Sequence, residues 1–358
     1  IRPLRSIFYH LFYSYFIAEN KGCGCGTELL IEGYHHRNGI VSARDTTARV
    51  LASAVTIAFG GSAGLEGPSL LLGGGLSSVI MRRLKLTPKD VKTLFLCGAA
   101  AGFSAIFRAP LTGILFALEI PYKRDVETEV FVPAAISSVS AYIVSASIMG
   151  AEAIFPSGML FPASFSSLLH AVVLGICTGF VGLIFIESLE KANFVSKYLN
   201  RPFLMLLASS LAGLVLGFIG LFYPEVLGLG YDLIRDLVVG GEFTLTSLIL
   251  LLALKILATS ITMGFGGSGG LFIPSICIGG IVGMIYAEAL GLSPAGLYVA
   301  VAMAAMLAAT NKSLLTSIVL VAETVGSSSI IFTVVSASVS YFLTGKRSLY
   351  RSQKLSRA

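Results

Sequence analysis

Charged side chains are scarce in this chain. Asp, Glu, Lys and Arg together make up 12% of the 358 residues, about half the share in an average soluble domain. They are missing altogether from 153–186, 202–224, 256–287, 289–311 and 324–345, and each of these runs reaches the roughly 20 residues a helix needs to cross a bilayer. That scarcity excludes a soluble globular chain, whose faces would alternate polar and apolar residues more often. With hydrophobic residues at 55%, the sequence reads as a multi-pass integral membrane protein surrounded by membrane lipids, with the cell membrane as its expected location. Several runs are broken by Gly, Pro and Ser, as at Pro156-Ser157-Gly158 and from Gly264 to Gly270. Irregular backbone at membrane depth persists only where it is buried in protein or lines a cavity. The expected fold is therefore an all-α membrane protein of broken and re-entrant helices rather than a row of simple spans.

Cysteine and histidine are also few. The five cysteines are odd in number, and Cys97, Cys177 and Cys277 lie in apolar runs, so no disulfide framework is indicated. Cys23 and Cys25 form a C-x-C pair, but no second pair or histidine cluster completes a tetrahedral metal site. His35 and His36 are adjacent and cannot share a helix face. Neither a metal nor another cofactor is expected. There is no signal peptide and no initiator Met, so residues upstream of Ile1 are expected to be missing. No low-complexity segment and no soluble regulatory domain is visible, and 1–358 reads as one transmembrane transport domain. The net charge of +6 is concentrated partly at Lys346, Arg347, Arg351, Lys354 and Arg357. That cluster reads either as a cytoplasmic flank under the positive-inside rule or as a disordered basic tail that only sets orientation. No nucleic-acid partner is expected.

A repeat organises what is present. Phe59-Gly-Gly-Ser-Ala-Gly-Leu-Glu-Gly-Pro-Ser69 returns at 265–275 with the same residue at eight of eleven positions, an offset of 206. Upstream, Arg49 falls on Lys255, Leu51 on Leu257, Ala52 on Ala258 and Thr56 on Thr262; downstream, Leu111-Thr112 falls on Leu315-Thr316, Ile114 on Ile318 and Glu119 on Glu323. Two halves, about 20–150 and 165–345, thus share one plan, the arrangement of transporters whose halves meet around a central site. Helices are expected at 4–18, 46–58, 68–82, 91–107, 110–120 and 131–149, then at 166–190, 202–221, 246–263, 274–290, 295–309, 312–325 and 329–343. Pro68, Pro88, Pro110, Pro274 and Pro294 stand near the expected helix starts, where proline is best tolerated.

In both copies, glycines are followed by proline and an apolar helix. Glycine lets several backbone N–H groups converge, and the helix start adds unpaired N–H groups and the positive end of its dipole. Together these make an anion site without a full positive charge, firm enough to replace water and weak enough to release. Close helix packing through small residues would explain one such turn; two, each ending in proline before a helix, favour the anion site.

Gly64-Leu-Glu-Gly-Pro68 and Gly270-Leu-Phe-Ile-Pro274 resemble the paired turns of the CLC chloride channel and transporter family. Gly24-Cys25-Gly26-Thr27 is similar to the family's G-S-G-I-P-type turn. The stretch Gly98 to Glu119 and the closing Gly-Lys-Arg-Ser-Leu-Tyr350 also fit, so the likeness runs in order from about residue 20 onward. The resemblance implies an inverted repeat and a homodimer in which each subunit holds its own pore, with chloride as the transported ion. It implies that Glu66 is the gating carboxylate, and that N–H groups of Leu65, Glu66, Gly67, Leu271 and Phe272 coordinate the anion beside Cys25 and Gly26. The Tyr350 hydroxyl would close the inner side of the central site. It also implies a dimer contact on the helices near 110–120, 131–149, 312–325 and 329–343, with Ser137, Ser138, Ser140, Ala141 and Ser336 to Ser340 supplying small residues.

Three positions depart from the family pattern: Leu65 stands where Arg or Lys is usual, Cys25 where Ser is usual, and Ile120 where proton-coupled members carry a glutamate. Glu119 is a nearby acid, but one residue away it points about a hundred degrees around the helix. A passive channel or weak proton coupling is the expectation, with strict chloride/proton exchange as the alternative. Arg49 and Lys255 read equally as cations enriching anions at the two pore mouths or as helix-end charges snorkelling to the interface. Gly60–Gly64 and Gly266–Gly270 also satisfy G-x-S-x-G, the nucleophile elbow of hydrolases. That motif needs a strand before the serine and a His–acid pair nearby, so a serine hydrolase is a remote alternative. A cation transporter would show an excess of pore carboxylates, which is not seen.

Overall fold

The computed structural model describes residues 24–84, 86–155, 164–199 and 202–357. The expected helix at 4–18, Cys23 and the break at Pro156-Ser157-Gly158 lie outside the described residues. Fourteen α-helices and three short 3-10 turns account for the ordered backbone there, and the only β pairing consists of isolated bridges. In chain order the helices are α1 Gly26–His36, α2 Ala43–Ala58, α3 Glu66–Met81, α4 Pro88–Phe107, α5 Pro110–Glu119, α6 Phe131–Met149 and α7 Phe165–Tyr198. They continue with α8 Pro202–Phe222, α9 Tyr231–Val239, α10 Leu245–Gly264, α11 Phe272–Leu290, α12 Ala295–Asn311, α13 Leu314–Thr324 and α14 Ile330–Leu343.

Local chemistry sets most boundaries. Ser42, Thr87, Ser164 and Thr244 each accept an N–H three residues on, starting α2, α4, α7 and α10. Pro88 and Pro110 open α4 and α5, where the missing N–H costs no helical bond. Among the described residues six helices are long and apolar enough to cross a membrane, while α5, α12, α13 and α14 are apolar but shorter. The short ones are the broken, re-entrant pieces that the Gly/Pro interruptions foretell. At 34 residues α7 is about 50 Å long, well over the hydrocarbon thickness, so it must tilt or project.

The repeat is structural as well as sequential. Residues Glu66 and Phe272, 206 apart, open α3 and α11. Arg108 after α4 and Lys312 after α12 both adopt the left-handed conformation. Equivalent residues also bond reciprocally: Ser62 N–H donates to Thr262 Oγ1 and Ser268 N–H to Thr56 Oγ1, each at 3.1 Å. At α5 and α13, Glu323 accepts from the N–H groups of Leu111 and Thr112 (3.0 and 2.8 Å), and Glu119 accepts from those of Leu315 and Thr316 (2.9 and 2.7 Å). Each carboxylate ends one helix and caps the start of the other, so the two helices run antiparallel. This is the inverted relation expected of the halves.

The interior is centred on α11 and α12; α12 is buried from Gly296 to Asn311. Helix α6 instead presents Val132, Ile136, Ile143 and Ile148 outward, at 60% exposure or more. The small residues expected on a subunit contact partly fail there. Ser138, Ser336 and Ser340 are fully buried within the subunit, and Ser138 O–H donates to the Pro110 carbonyl at 2.7 Å. For Ser138 an internal acceptor draws the hydroxyl inward, leaving the aliphatic side chains of α6 to face outward.

Candidate functional site

Three helix N-termini meet at the centre. Cys25 precedes α1, Leu65 precedes α3 and Leu271 precedes α11, each as the N-cap residue. Their turns are zipped together by backbone. Gly64 and Gly270 exchange both N–H···O bonds (2.9 and 2.8 Å), while Gly26 N–H donates to Gly269 O (3.3 Å) and Gly269 N–H to Gly24 O (3.2 Å). Such contact excludes side chains: a Cβ on Gly26 would lie 2.4 Å from the Gly67 carbonyl oxygen. Three dipoles therefore point their positive ends at one buried point.

A carboxylate already occupies that point. Glu66, the first residue of α3, is fully buried, and its Oε1 accepts the N–H of Phe272 at 2.5 Å. The N–H groups of Ile273 and of Glu66 itself also face the carboxylate. A Cβ on Gly270 would fall 2.0 Å from Oε1, so only glycine leaves room for the charge. The Phe272 ring packs against Phe103, Phe116 and Phe107, with centroids 5.4, 5.8 and 6.3 Å away. This apolar wall strengthens the electrostatics of the seat. A hydrogen bond to a charged acceptor contributes about 1.5–3 kcal/mol, so a few N–H groups offset the several kcal/mol of desolvating one anion.

Around this seat, Cys25, Gly26, Gly67, Leu271 and Phe272 are buried, while Leu65 is half-buried. Tyr350 is fully buried, and its hydroxyl lies within electrostatic reach of Cys25, Glu66 and Glu28. The basic tail that carries it is not a disordered flank. Leu349 N–H donates to Thr310 O (2.9 Å), Gln353 Nε2 to the carbonyls of Ile120 and Asn311 (both 3.0 Å), and Ser352 N–H to Glu28 Oε1 (3.0 Å). Lys123 and Arg124 donate their N–H groups to Lys354 and Leu355 carbonyls (2.8 and 3.1 Å), and Arg357 pairs with Glu127. Polar side chains placed between the basic ones, above all Gln353, supply this docking; the charge pattern alone hides it.

Ile120 is fully buried and apolar, and it bonds only through its backbone, the N–H donating to Phe116 O (2.9 Å) and the carbonyl accepting from Gln353. Both oxygens of Glu119 are engaged in capping α13. Arg49 and Lys255 are buried, Lys255 donating to Val226 O at 2.9 Å, so neither snorkels to an interface.

With this geometry, the comparisons are informative. The model of a family described as voltage-gated chloride channel matches residues 6–345. The chain belongs to the CLC family. An uncharacterized protein of Methanocaldococcus jannaschii is 30% identical over 341 residues, 95% of this chain and 84% of that one. A putative chloride channel protein, ClcB-like, of Ralstonia nicotianae is 28% identical over 329 residues, 89% of this chain and 76% of its own. The H(+)/Cl(−) exchange transporter ClcA of Vibrio vulnificus is 30% identical over 271 residues, which is 73% of this chain and 58% of the transporter. Among solved structures, a slow cyanobacterial Cl−/H+ antiporter has a TM-score of 0.87 at 23% identity, covering 98% of this chain and 85% of that one. A CLC-type fluoride/proton antiporter has a TM-score of 0.80 at 25% identity, covering 91% and 81%.

As a CLC protein the chain is a multi-pass membrane protein of anion transport and not an enzyme. The elbow serines serve as pins: Ser62 Oγ pairs with Thr259 Oγ1 (2.9 Å), and Ser268 O–H donates to Gly24 O (2.8 Å). Glu28 and Tyr231 also neighbour the site, and no motif points to either. Tyr231, at the start of α9, lies within electrostatic reach of Glu66. The only sequence signal for Glu28 is an acid three residues after Cys25. For Glu323 it is the repeat equivalence with Glu119.

Proposed function

We propose that this CLC protein carries chloride across the cell membrane as a homodimer, through a pore within each subunit, and that the Glu66 carboxylate is the gate. The observation that carries the reading is the Glu66 oxygen on the Phe272 N–H, 2.5 Å away. An anion in transit needs that same N–H. Ionised Glu66 therefore excludes it, and protonation, which removes the charge, releases the seat. The N–H groups of Leu65, Gly67 and Leu271, with Gly26 and Cys25, would complete the coordination, and Tyr350 would close it on the inner side. Chloride is favoured by the likeness to the Ralstonia putative chloride channel protein and the Vibrio H(+)/Cl(−) exchange transporter; the fluoride/proton antiporter likeness makes fluoride the anion to test beside it.

The position at Ile120 carries no proton, and Glu119 is fixed as a helix cap. The reading is therefore passive flux or weakly coupled exchange, with strict antiport the alternative. The test is anion efflux from liposomes holding wild type or Glu66→Gln. The variant is expected to conduct and to lose most of its dependence on external pH. Retained pH dependence would remove Glu66 from the gate.

A further inference from the structure

We propose that Glu28 is the inner proton station of this chain, exchanging protons with the inner solution and relaying them past Tyr350 to Glu66. This rests on the reading of Glu66 as the gate and, of the two modes proposed above, on weakly coupled exchange rather than passive flux. Neither Ile120 nor Glu119 can serve, since one is apolar and the other has both oxygens held in a cap. Glu28 sits in the first turn of α1, half-buried, so it meets both solvent and interior. Its Oε1 accepts from Ser352 N–H (3.0 Å) and O–H (2.7 Å), the Arg351 N–H also faces the carboxylate, and its buried Oε2 makes no hydrogen bond of normal length to the protein. Lys123 and Arg351 face it, together with Tyr350.

The unpartnered oxygen belongs to a series. Glu66 Oε2, both polar atoms of the Asn311 side chain and Glu28 Oε2 are buried without a protein hydrogen bond, and the Tyr350 hydroxyl and Thr27 Oγ1 are buried with only each other in hydrogen-bonding reach. Tyr350 neighbours Thr27 and lies within reach of both glutamates. Asn311 flanks the same tail, since its carbonyl accepts from Gln353 and that of Thr310 accepts from Leu349. Buried polar atoms are ordinarily satisfied, and ordered water is the usual partner where protein supplies none. The buried hydroxyls of Tyr350, in reach of both carboxylates, and of Thr27 beside it are what a water-borne proton path requires. Each step moves one proton between oxygens and breaks no other bond, so no further reactant is needed.

Glu28 could instead act only as a clamp for the tail through Ser352, and two variants separate these roles. Glu28→Gln keeps an oxygen for Ser352 but cannot titrate; Ser352→Ala loosens the clamp and keeps the carboxylate. In liposomes with an imposed chloride gradient, wild type is expected to drive protons uphill. Glu28→Gln should lower the proton-to-chloride ratio at least about tenfold while Ser352→Ala retains it. An unchanged ratio in Glu28→Gln, or an equal fall in both variants, would overturn the proposal. Wild-type anion flux without uphill protons would also overturn it and leave the anion pore standing. Absence of anion flux would overturn the pore itself.

Discussion

At Cys25 a thiol stands at the N-cap of the helix that aims at the anion seat. An S–H is a weaker donor than a hydroxyl, while the backbone N–H groups beside it are unchanged by the side chain. Cys25→Ser should therefore change preference more than rate. A gain of about 1 kcal/mol in one hydrogen bond corresponds to about fivefold, read as a rise in the permeability of chloride over nitrate. Unchanged ratios would place Cys25 outside the coordination shell. The placing of Glu66, Cys25 and Tyr350 around one buried centre was legible because local motifs carry them; their roles are the proposal. Glu28, the proposed proton station, was not legible: its place depends on the tail folding back over 324 residues of sequence to put Ser352 on it, a contact no local pattern encodes.

At the scale of elements, the paired caps of α5 and α13 hold the halves together. Glu119→Ala would leave two buried N–H groups and the Thr316 hydroxyl without their charged acceptor. The cost should be about 3 kcal/mol or more, since hydrogen bonds to charged groups contribute about 1.5–3 kcal/mol each. Glu323→Ala should cost a similar amount by the same geometry. Thermal unfolding in detergent checks both, and melting temperatures within a degree or so of wild type would deny the caps their role. Helices such as α6, whose expected and observed limits are both 131–149, were readable from apolar runs bounded by charge, proline or glycine. Helices α1 and α9 were missed. α1 begins at Gly26 and ends on His35-His36, and α9 is nine residues long with Asp232, Arg235 and Asp236 in it. Both are shorter than a span, and their helical state depends on packing rather than on composition.

At the scale of the whole molecule, the outward apolar face gives the proposed dimer its geometry. Leu111 and Leu315, equivalent in the two halves, are 57% and 48% exposed on the first turns of α5 and α13. Leu111→Trp with Leu315→Trp should give monomers on detergent sizing that still conduct, because the proposed pore lies within one subunit. A persistent dimer would put the contact on another face. The inverted plan itself was legible from the repeat, since equivalent glycines had to meet for their N–H groups to converge. The central claim is that the Glu66 carboxylate and the transported anion share the Phe272 N–H. Bromide located by anomalous diffraction tests this most directly. In Glu66→Gln crystals a bromide is predicted on the Phe272 N–H, with none there in wild type at alkaline pH. Bromide at that N–H beside an ionised Glu66, or its absence from the site in Glu66→Gln, would contradict the account.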